Sequence, residues 1–289
     1  RRGDDCAGAR VRLVLRDDNQ PRASGPFARG PLALVLHIPG KALDMADGIS
    51  PDLVAELAPT GRLRAAINFG NSVLAQQDPV GGPPRGVSAE LARELARRLD
   101  LGIDYVTFDA AGKVFEALKA GQWDIAFLAI DPVRAAGIDF TAPYVVIEGT
   151  YLVPEDSTLR TIADVDRDGV RVAVAQGSAY DLYLTRALKH AKLVRQPSGP
   201  EALEMFARDR LEAAGGVRQP IVAFAQAHPD TRVIPGRFMA IEQAMGIVKG
   251  RAAGAAYLRK FIEEMKASGF VAQALKTSGQ ADASVAPPA

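Results

Sequence analysis

The sequence predicts an α/β fold made of two lobes, each a mainly parallel sheet flanked by helices. Short apolar strands alternate with amphipathic helices in two successive blocks, which favours a parallel sheet in each block. Two long extended segments, at 144–153 and 238–248, follow the first and the second block. If both segments cross between the blocks, the lobes form a hinged clam shell with a ligand cleft between them.

Residues 1–44 differ from the rest and are expected to be an extension that is disordered or not native. They are rich in glycine and proline, and their only apolar runs are short, at 11–15 and 32–38. The second run imitates the apolar core of a signal peptide, but no convincing cleavage site follows it. Met45 begins more ordered sequence, and the hypothesis that follows is that Met45 is the natural start.

The first part of lobe 1 is expected at 45–149. Ser50 and Pro51 have the residue types of a helix cap and a first helical position. Ser88 is likewise expected to cap a helix, and Gly121 to end another. The pattern then predicts three strands and two further helices. The strands are at 63–68, 103–108 and 124–130, and the helices at 88–99 and 114–120.

The second block predicts lobe 2 at 150–238, a return to lobe 1 at 239–280 and a disordered tail at 281–289. Within lobe 2 the apolar periodicity predicts strands at 170–175, 193–196, 213–217 and 232–234, and helices at 178–190, 200–209 and 221–227. The return segment ends in a helix at 252–268. One face of that helix is apolar, with Leu258, Phe261, Ile262 and Met265.

Composition excludes several classes of function. The 289 residues include 35 lysines and arginines and 34 aspartates and glutamates, so the net charge of +1 implies no strong field for nucleic acid. One cysteine and three histidines exclude a disulfide framework within the chain and a dense His/Cys metal site. No metal or cofactor is expected. No apolar run approaches the length of a membrane-spanning helix.

Five motifs in order give the chain a recognisable character. They read INFGNSVLA, GVSAELARELARRL, FEALKAGQWDIAF, DPVRAAGIDFTAPY and ADVDRDGVRVAVAQGSAYDLYL, at 67–75, 86–99, 115–127, 131–144 and 163–184. With this order and spacing, residues 63–278 resemble the family 3 extracellular solute-binding proteins, the polar amino-acid receptors of bacterial ABC transporters.

The resemblance implies a periplasmic-binding-protein-like clam shell of type II. It also implies a monomeric, non-enzymatic protein that captures a small carboxylate-bearing solute, an amino acid or a related organic anion, and delivers it to an ABC permease. The implied location is periplasmic. No convincing signal peptide precedes Met45 or follows it, so a cytoplasmic location is the alternative.

Arg134 is the first candidate site residue. It stands at the arginine of the fourth motif, which in the family binds the α-carboxylate of the ligand. A guanidinium is a planar fork of donors that matches the two oxygens of a carboxylate. The alternative is an ordinary surface arginine.

Further candidates lie where predicted strands end. Gly177, Ser178 and Ala179 join a strand to a helix, where free N–H groups and the positive helix end favour an anion; the alternative for Ser178 is a helix cap alone. Other candidates follow strands of lobe 1 at the sheet edge where open α/β sheets bind ligands. They are Asn68, Phe69 and Asn71, with an Asn-Gly turn as the alternative, and Ala129, which offers a backbone carbonyl.

Two departures from the family pattern concern the ligand's charge. Amino-acid receptors of the family usually have an aspartate for the α-ammonium where this chain has Arg218, and an aromatic residue where it has Ala111, followed by Lys113. Arg134, Arg218 and Lys113 together predict a positive cleft, hence an anionic ligand. The alternative for Arg218 is an outward-facing arginine near the hinge. Glu148, Asp131 and Asp109 are candidate compensating acids.

The fold also includes enzymes, notably a cyclohexadienyl dehydratase, so an enzyme of that kind is an alternative. A non-exported binding or sensor module is another. No Ser/His/Asp, Cys/His or metal constellation is present in the cleft motifs. No catalytic residue is therefore expected.

Overall fold

Strands and helices alternate along residues 49–289, the part of the chain that the computed structural model describes. The predicted extension at 1–44 and the predicted start at Met45 lie outside these residues. The first lobe begins with elements in the expected order. They are α1 (Pro51–Leu57), β1 (Arg62–Asn68), α2 (Val87–Arg98), β2 (Gly102–Phe108), α3 (Ala111–Ala117), β3 (Ile125–Ala129) and α4 (Pro132–Ala135).

A 17-residue strand, β4 (Ile138–Pro154), leads to the second lobe. After a short 3-10 helix at Ile162–Val165, the second lobe contains β5 (Arg171–Ala175), α5 (Ala179–Ala187), β6 (Lys192–Gln196), α6 (Gly199–Arg208), β7 (Ala213–Val217), α7 (Arg218–Ala227) and β8 (Thr231–Val233). The chain ends with β9 (Met239–Val248), α8 (Ala252–Ala267), α9 (Phe270–Thr277) and β10 (Ser284–Val285).

The strands form one sheet with the order β2-β1-β3-β9-β4-β7-β5-β6. Strand β1 pairs in parallel with β2 and β3, and β5 pairs in parallel with β6 and β7. The two lobes therefore repeat one arrangement, with the first strand of each set between the other two. This agrees with the expectation of a parallel sheet in each block. The exact lobe boundaries stay predictions.

Strands β4 and β9 are the two extended crossovers. They pair with each other in antiparallel fashion from Ile138 opposite Val248 to Gly149 opposite Met239. From Gly149 onward β4 pairs with β7, and later with β8. One strand thus belongs to both lobes, so the lobes are joined by backbone hydrogen bonds at their inner edges.

Local signals explain several helix starts. Ser50 accepts a hydrogen bond from the N–H of Leu53 at 3.1 Å, as the cap prediction required. Ser88 was expected to cap α2, but this prediction is wrong. Gly86, with a φ of +100°, holds the cap position, and Ser88 is buried inside the helix, where its hydroxyl lies 3.1 Å from the Tyr144 hydroxyl. Only glycine adopts such a backbone angle readily, which is why the helix begins there.

The C-terminal region differs from the expectation of a disordered tail. Helix α9 follows α8, and Ser284–Val285 pairs with β4 as β10. Ala283 and Ala286 are buried, and the Ala286 N–H donates to the Tyr144 carbonyl. Small alanines allow close approach of this segment to the sheet, an effect that a composition-based prediction of disorder does not capture.

The predicted apolar stripe of α8 is confirmed, because its four members are all buried. Beside the first turn of α8, the fully buried carboxylate of Asp124 pairs with Arg64 at 2.8 Å and with Arg251 at 3.3 Å. None of the helices in residues 49–289 combines the length and the hydropathy that a membrane span needs.

Candidate functional site

A small cavity lies where the two lobes meet at the carboxyl ends of their parallel strands. It has about 50 Å³ of room, enough for a few water molecules at roughly 10–15 Å³ each. Its walls come from both lobes and from the β9 crossover. The polar and predicted residues among them are Asn68, Asn71, Ser88, Asp109, Ala129, Arg134, Gln176, Ser178, Ala179, Tyr180 and Gln243. The two lobes thus face each other across a narrow space, in a closed arrangement of the lobes.

Arg134 is the charged centre of the cavity. It is 1% exposed. Its Nη1 donates to the Ala129 carbonyl of the first lobe at 2.9 Å, and its Nη2 donates to the Gly177 carbonyl of the second lobe at 2.9 Å. Within the described residues its Nε has no hydrogen-bond partner. Burial lowers the pKa of Arg134 to about 10, and nearby Asp131 opposes this shift, so the guanidinium is cationic at neutral pH.

The short helix α4 aims Arg134 at the cavity. Asp131 accepts a hydrogen bond from the N–H of Val133 at 2.8 Å, and Pro132 occupies the first helical position. The helix therefore begins directly after β3 and carries Arg134 back over the end of that strand. A four-residue helix has too few positions for a periodic apolar pattern, so this element was not predicted.

The loop at Gly177 and Ser178 contributes from the second lobe. Ser178 caps α5, because its hydroxyl accepts from the N–H of Asp181 at 3.0 Å. The Gly177 N–H donates to the Asp181 carboxylate at 2.8 Å. The cap interpretation of Ser178 therefore holds, while its hydroxyl proton is still able to donate into the cavity that it lines. Gly177 contributes its carbonyl to Arg134, and Ala179 lies in the cavity wall.

The loop after β1 lies opposite. Asn68 accepts a hydrogen bond from the Gly70 N–H at 3.0 Å, which is the turn alternative. Both Asn68 and Asn71 line the cavity, and the Asn71 Oδ1 has no partner within residues 49–289. Phe69 lines a neighbouring pocket instead. An acceptor on Asn71 and a donor on Arg134 are thus both available to a polar ligand.

Lys113 and Arg218 do not line the cavity. The Lys113 ammonium pairs with Asp109 at 2.7 Å on the exposed side of α3. The Arg218 Nε donates to Glu148 at 2.6 Å, and its Nη2 donates to the Gly236 carbonyl. The hinge alternative describes Arg218, because Glu148 holds it beside the crossover. The cavity is therefore less positive than the sequence indicated.

Three polar wall residues were not predicted from the sequence as site residues, namely Ser88, Gln176 and Tyr180. Ser88 and Tyr180 line the cavity, although the first was interpreted as a cap and the second as part of a helix start. Ser88 precedes Leu91 and Leu95 by three and seven residues, so helical periodicity alone places it on the buried face. Burial raises the pKa of Tyr180 to about 12, which keeps its hydroxyl protonated.

Of the cavity-lining residues within 49–289, Asp109 alone carries a carboxylate. Its side chain is 65% exposed, and the Lys113 ammonium lowers its pKa. Asp131 lies behind Arg134 and pairs with Arg186 of α5 at 2.8 Å. Among the described wall residues, the buried formal charge is therefore that of the Arg134 guanidinium.

Comparison with known proteins adds independent findings. Residues 75–279 match the family described as bacterial extracellular solute-binding proteins, family 3. The amino-acid-binding protein AabA of Dichelobacter nodosus is 28% identical over 102 residues, which are 35% of this chain and 40% of that protein. The chain thus matches about two fifths of the length of that relative.

Solved structures resemble the whole two-lobed region. The solute receptor for L-cysteine of Neisseria gonorrhoeae matches with a TM-score of 0.68 and 22% identity, over 78% of this chain and 92% of that chain. The ArgBP mutant P235GK of T. maritima matches with a TM-score of 0.67 and 22% identity, over 78% and 99%. The ancestral amino-acid-binding protein AncCDT-1, a precursor of cyclohexadienyl dehydratase, matches with a TM-score of 0.65 and 23% identity, over 78% and 98%. These likenesses confirm the predicted two-lobed α/β fold of type II.

Proposed function

This chain belongs to the bacterial extracellular solute-binding proteins of family 3, and we propose that it captures a small carboxylate-bearing solute for an ABC permease. The family and the similar structures are mostly binding proteins. The observation that carries the proposal is the buried guanidinium of Arg134, whose Nε has no partner within the described residues.

A carboxylate is the group that suits this guanidinium. Of the five N–H donors of arginine, two are used by the carbonyls of Ala129 and Gly177. The remaining donors match a carboxylate, and a charge-assisted hydrogen bond of this kind contributes about 1.5–3 kcal/mol. A bound anion also offsets the cost of keeping the guanidinium away from water.

Closure follows from the position of Arg134 between the lobes. Its contacts reach Ala129 in one lobe and Gly177 in the other, so they hold the lobes together around the narrow cavity. The solute therefore enters an open form and binds the first lobe through Arg134 and the Asn68–Asn71 loop. Contacts with Ser178 and Tyr180 then stabilise the closed form, which the permease recognises.

An organic anion without an ammonium group is the second candidate, and the charge of the cavity favours it. A zwitterionic amino acid neutralises Arg134 but brings an ammonium into a wall whose one carboxylate, Asp109, is already paired with Lys113. A monocarboxylate leaves no such unpaired charge. Arg218 and Lys113, from which the sequence predicted an anionic ligand, do not line the cavity and so give this candidate no support.

The non-enzymatic and periplasmic predictions remain part of the proposal. Asp109 is the acid nearest to the cavity, and a pKa lowered by Lys113 opposes a role as general acid. The proposal of a periplasmic location rests on the family, whose members are extracellular solute-binding proteins.

A thermal-shift and calorimetric panel tests the proposal. It compares amino acids, their deaminated acids and the matching carboxamides, with the protein and its Arg134→Lys variant. We expect stabilisation by carboxylates but not carboxamides, and at least tenfold weaker binding to Arg134→Lys, which keeps the charge but loses the planar fork. Equal binding of acid and carboxamide would refute the carboxylate site, and tighter binding of the amino acid than of its deaminated acid would refute the second candidate.

A further inference from the structure

A second, larger pocket opens beside the cavity, between the N-terminal parts of α6 and α7. It has about 560 Å³ of room, within the range of small-molecule sites, roughly 300–1,000 Å³. Its wall is mainly apolar and comes from both lobes. The large apolar residues in it are Phe69, Pro200, Leu203, Pro220, Ile221 and Phe224. We call it the α6–α7 pocket.

The α6–α7 pocket adjoins the Arg134 cavity. Gly70, Asp109, Tyr180, Gly199 and Val217 line both spaces. The two spaces therefore lie next to each other, and the residues that they share lie at the boundary between them.

The walls of the α6–α7 pocket are held in place before any solute arrives. Phe224 stacks on His228 with ring centroids 3.8 Å apart and planes 9° apart. Phe69 packs against the main core of the chain, and Ile221 is 1% exposed. Because these side chains are already packed, a solute loses little of its binding free energy to ordering them.

We propose that the α6–α7 pocket binds an apolar body of the same solute whose carboxylate Arg134 holds. This inference rests on the proposed function, and it narrows the solute to an amphipathic monocarboxylate. The inner cavity, at about 50 Å³, takes the carboxylate head, and the larger pocket takes the rest of the molecule. Of the acids at the wall, Glu204 is exposed and Asp109 is paired with Lys113, so neither sets a buried unpaired charge against such a body.

A chain-length series tests the inference directly. Butanoate, hexanoate and octanoate are titrated calorimetrically, once as plain acids and once as their 2-amino acids. We expect the Kd to fall about three- to fourfold per added methylene, since each buried methylene contributes about 0.8 kcal/mol. A comparison of the plain acid with the 2-amino acid at each chain length also shows which head group the inner cavity prefers. This comparison does not depend on binding in the α6–α7 pocket.

Two substitutions of Leu203 provide the structural readout. Leu203→Gln places an amide in the pocket wall, and Leu203→Ala removes apolar contact with a smaller risk to folding. Both substitutions are expected to raise the Kd of octanoate at least threefold and to change the Kd of butanoate much less. The Kd would then depend less on chain length. Val80→Gln, at a side chain that is 91% exposed, is the matched control and is expected to change nothing.

The outcomes separate the two proposals. Binding that requires Arg134 but is independent of chain length would overturn the apolar-body inference alone. Tighter binding of 6-aminohexanoate than of hexanoate would also overturn it, since Glu204 and Asp109 would then select a cationic tail. Binding that is insensitive to Arg134→Lys would overturn the proposed function itself.

Discussion

The carboxylate of Asp131 accepts a hydrogen bond from the Arg186 Nη2 at 2.8 Å, and this ion pair joins the two lobes beside the cavity. Asp131 is buried and caps the helix that carries Arg134, whereas the Arg186 side chain, on α5 of the second lobe, is 45% exposed. Together with the Arg134 hydrogen bond to the Gly177 carbonyl, the pair fastens the closed arrangement. Closure is therefore coupled to the same helix that positions the candidate carboxylate-binding group.

Replacing Arg186 is predicted to favour the open form. Arg186→Gln removes the charge that crosses between the lobes, so the closed form loses about 1 kcal/mol, the upper range for a partly exposed pair. The expected result is a three- to fivefold higher Kd for the solute and a larger radius of gyration in small-angle scattering.

Arg195 is the matched control for Arg186. It pairs with the buried Asp181 at 2.9 Å and is 39% exposed, but both partners belong to the second lobe. Arg195→Gln should therefore leave the Kd unchanged while affecting stability to a similar extent. Equal effects of the two substitutions on the Kd would contradict a role of the Asp131–Arg186 pair in closure.

Gly112 is predicted to limit how closely the lobes approach. A Cβ added there would lie 2.9 Å from the Gln176 carbonyl oxygen and 3.3 Å from the Gly177 Cα. Gly112→Ala thus forces the closed lobes apart, while the open form has no such conflict. We expect about tenfold weaker solute binding, from overpacking of 1–3 kcal/mol, and an unchanged unfolding temperature without solute.

The next residue of α3 provides the control for this contact. Lys113 points to Asp109 on the exposed side, so Lys113→Ala should not alter closure. If Gly112→Ala bound the solute as tightly as the wild type, the close approach of the two loops would have no part in binding.

The prediction for Arg218 concerns stability and pH rather than binding. The Arg218 guanidinium lowers the pKa of Glu148, with a smaller effect of Arg237. A lowered pKa in the folded state means that the pair stabilises the fold above pH about 4.5 and loses this effect as the pH falls further. Glu148→Gln should therefore reduce the free energy of unfolding at pH 7, by an amount up to about 1 kcal/mol. At pH 3 the substitution should leave the free energy of unfolding unchanged.

Urea unfolding at both pH values tests this, with the exposed Glu116→Gln as control. Arg218→Ala should change the solute Kd by less than threefold, in contrast to Arg134→Lys. A large loss of affinity in Arg218→Ala would show that this arginine takes part in solute binding.

Most of the fold could be predicted from the sequence, because strands and helices have different apolar periodicities and the five motifs occur in the family order. Sequence analysis identified Arg134 from the fourth motif, in which the arginine and its spacing match the family pattern. It named Asp109 and Glu148 as candidate compensating acids, and they do pair with Lys113 and Arg218. It did not place these two cations outside the cavity, because the direction of each side chain depends on tertiary structure. The cap position of α2 was predicted at Ser88 and lies at Gly86 for a similar reason, because the positive φ of Gly86 depends on the preceding loop.

The buried carboxylate of Asp124 should be essential to stability and irrelevant to the solute. It is fully buried and accepts hydrogen bonds from Arg64 at 2.8 Å and 3.0 Å, with Arg251 at 3.3 Å. Asp124→Asn leaves two arginines without their counter-charge, so we expect a loss of about 3–5 kcal/mol in urea unfolding and an unchanged Kd. Asp104→Asn is the control, because Asp104 pairs with Arg62 on the exposed surface at 2.8 Å and should cost less than about 1 kcal/mol. Equal losses would show that burial of the Asp124 carboxylate does not determine its contribution.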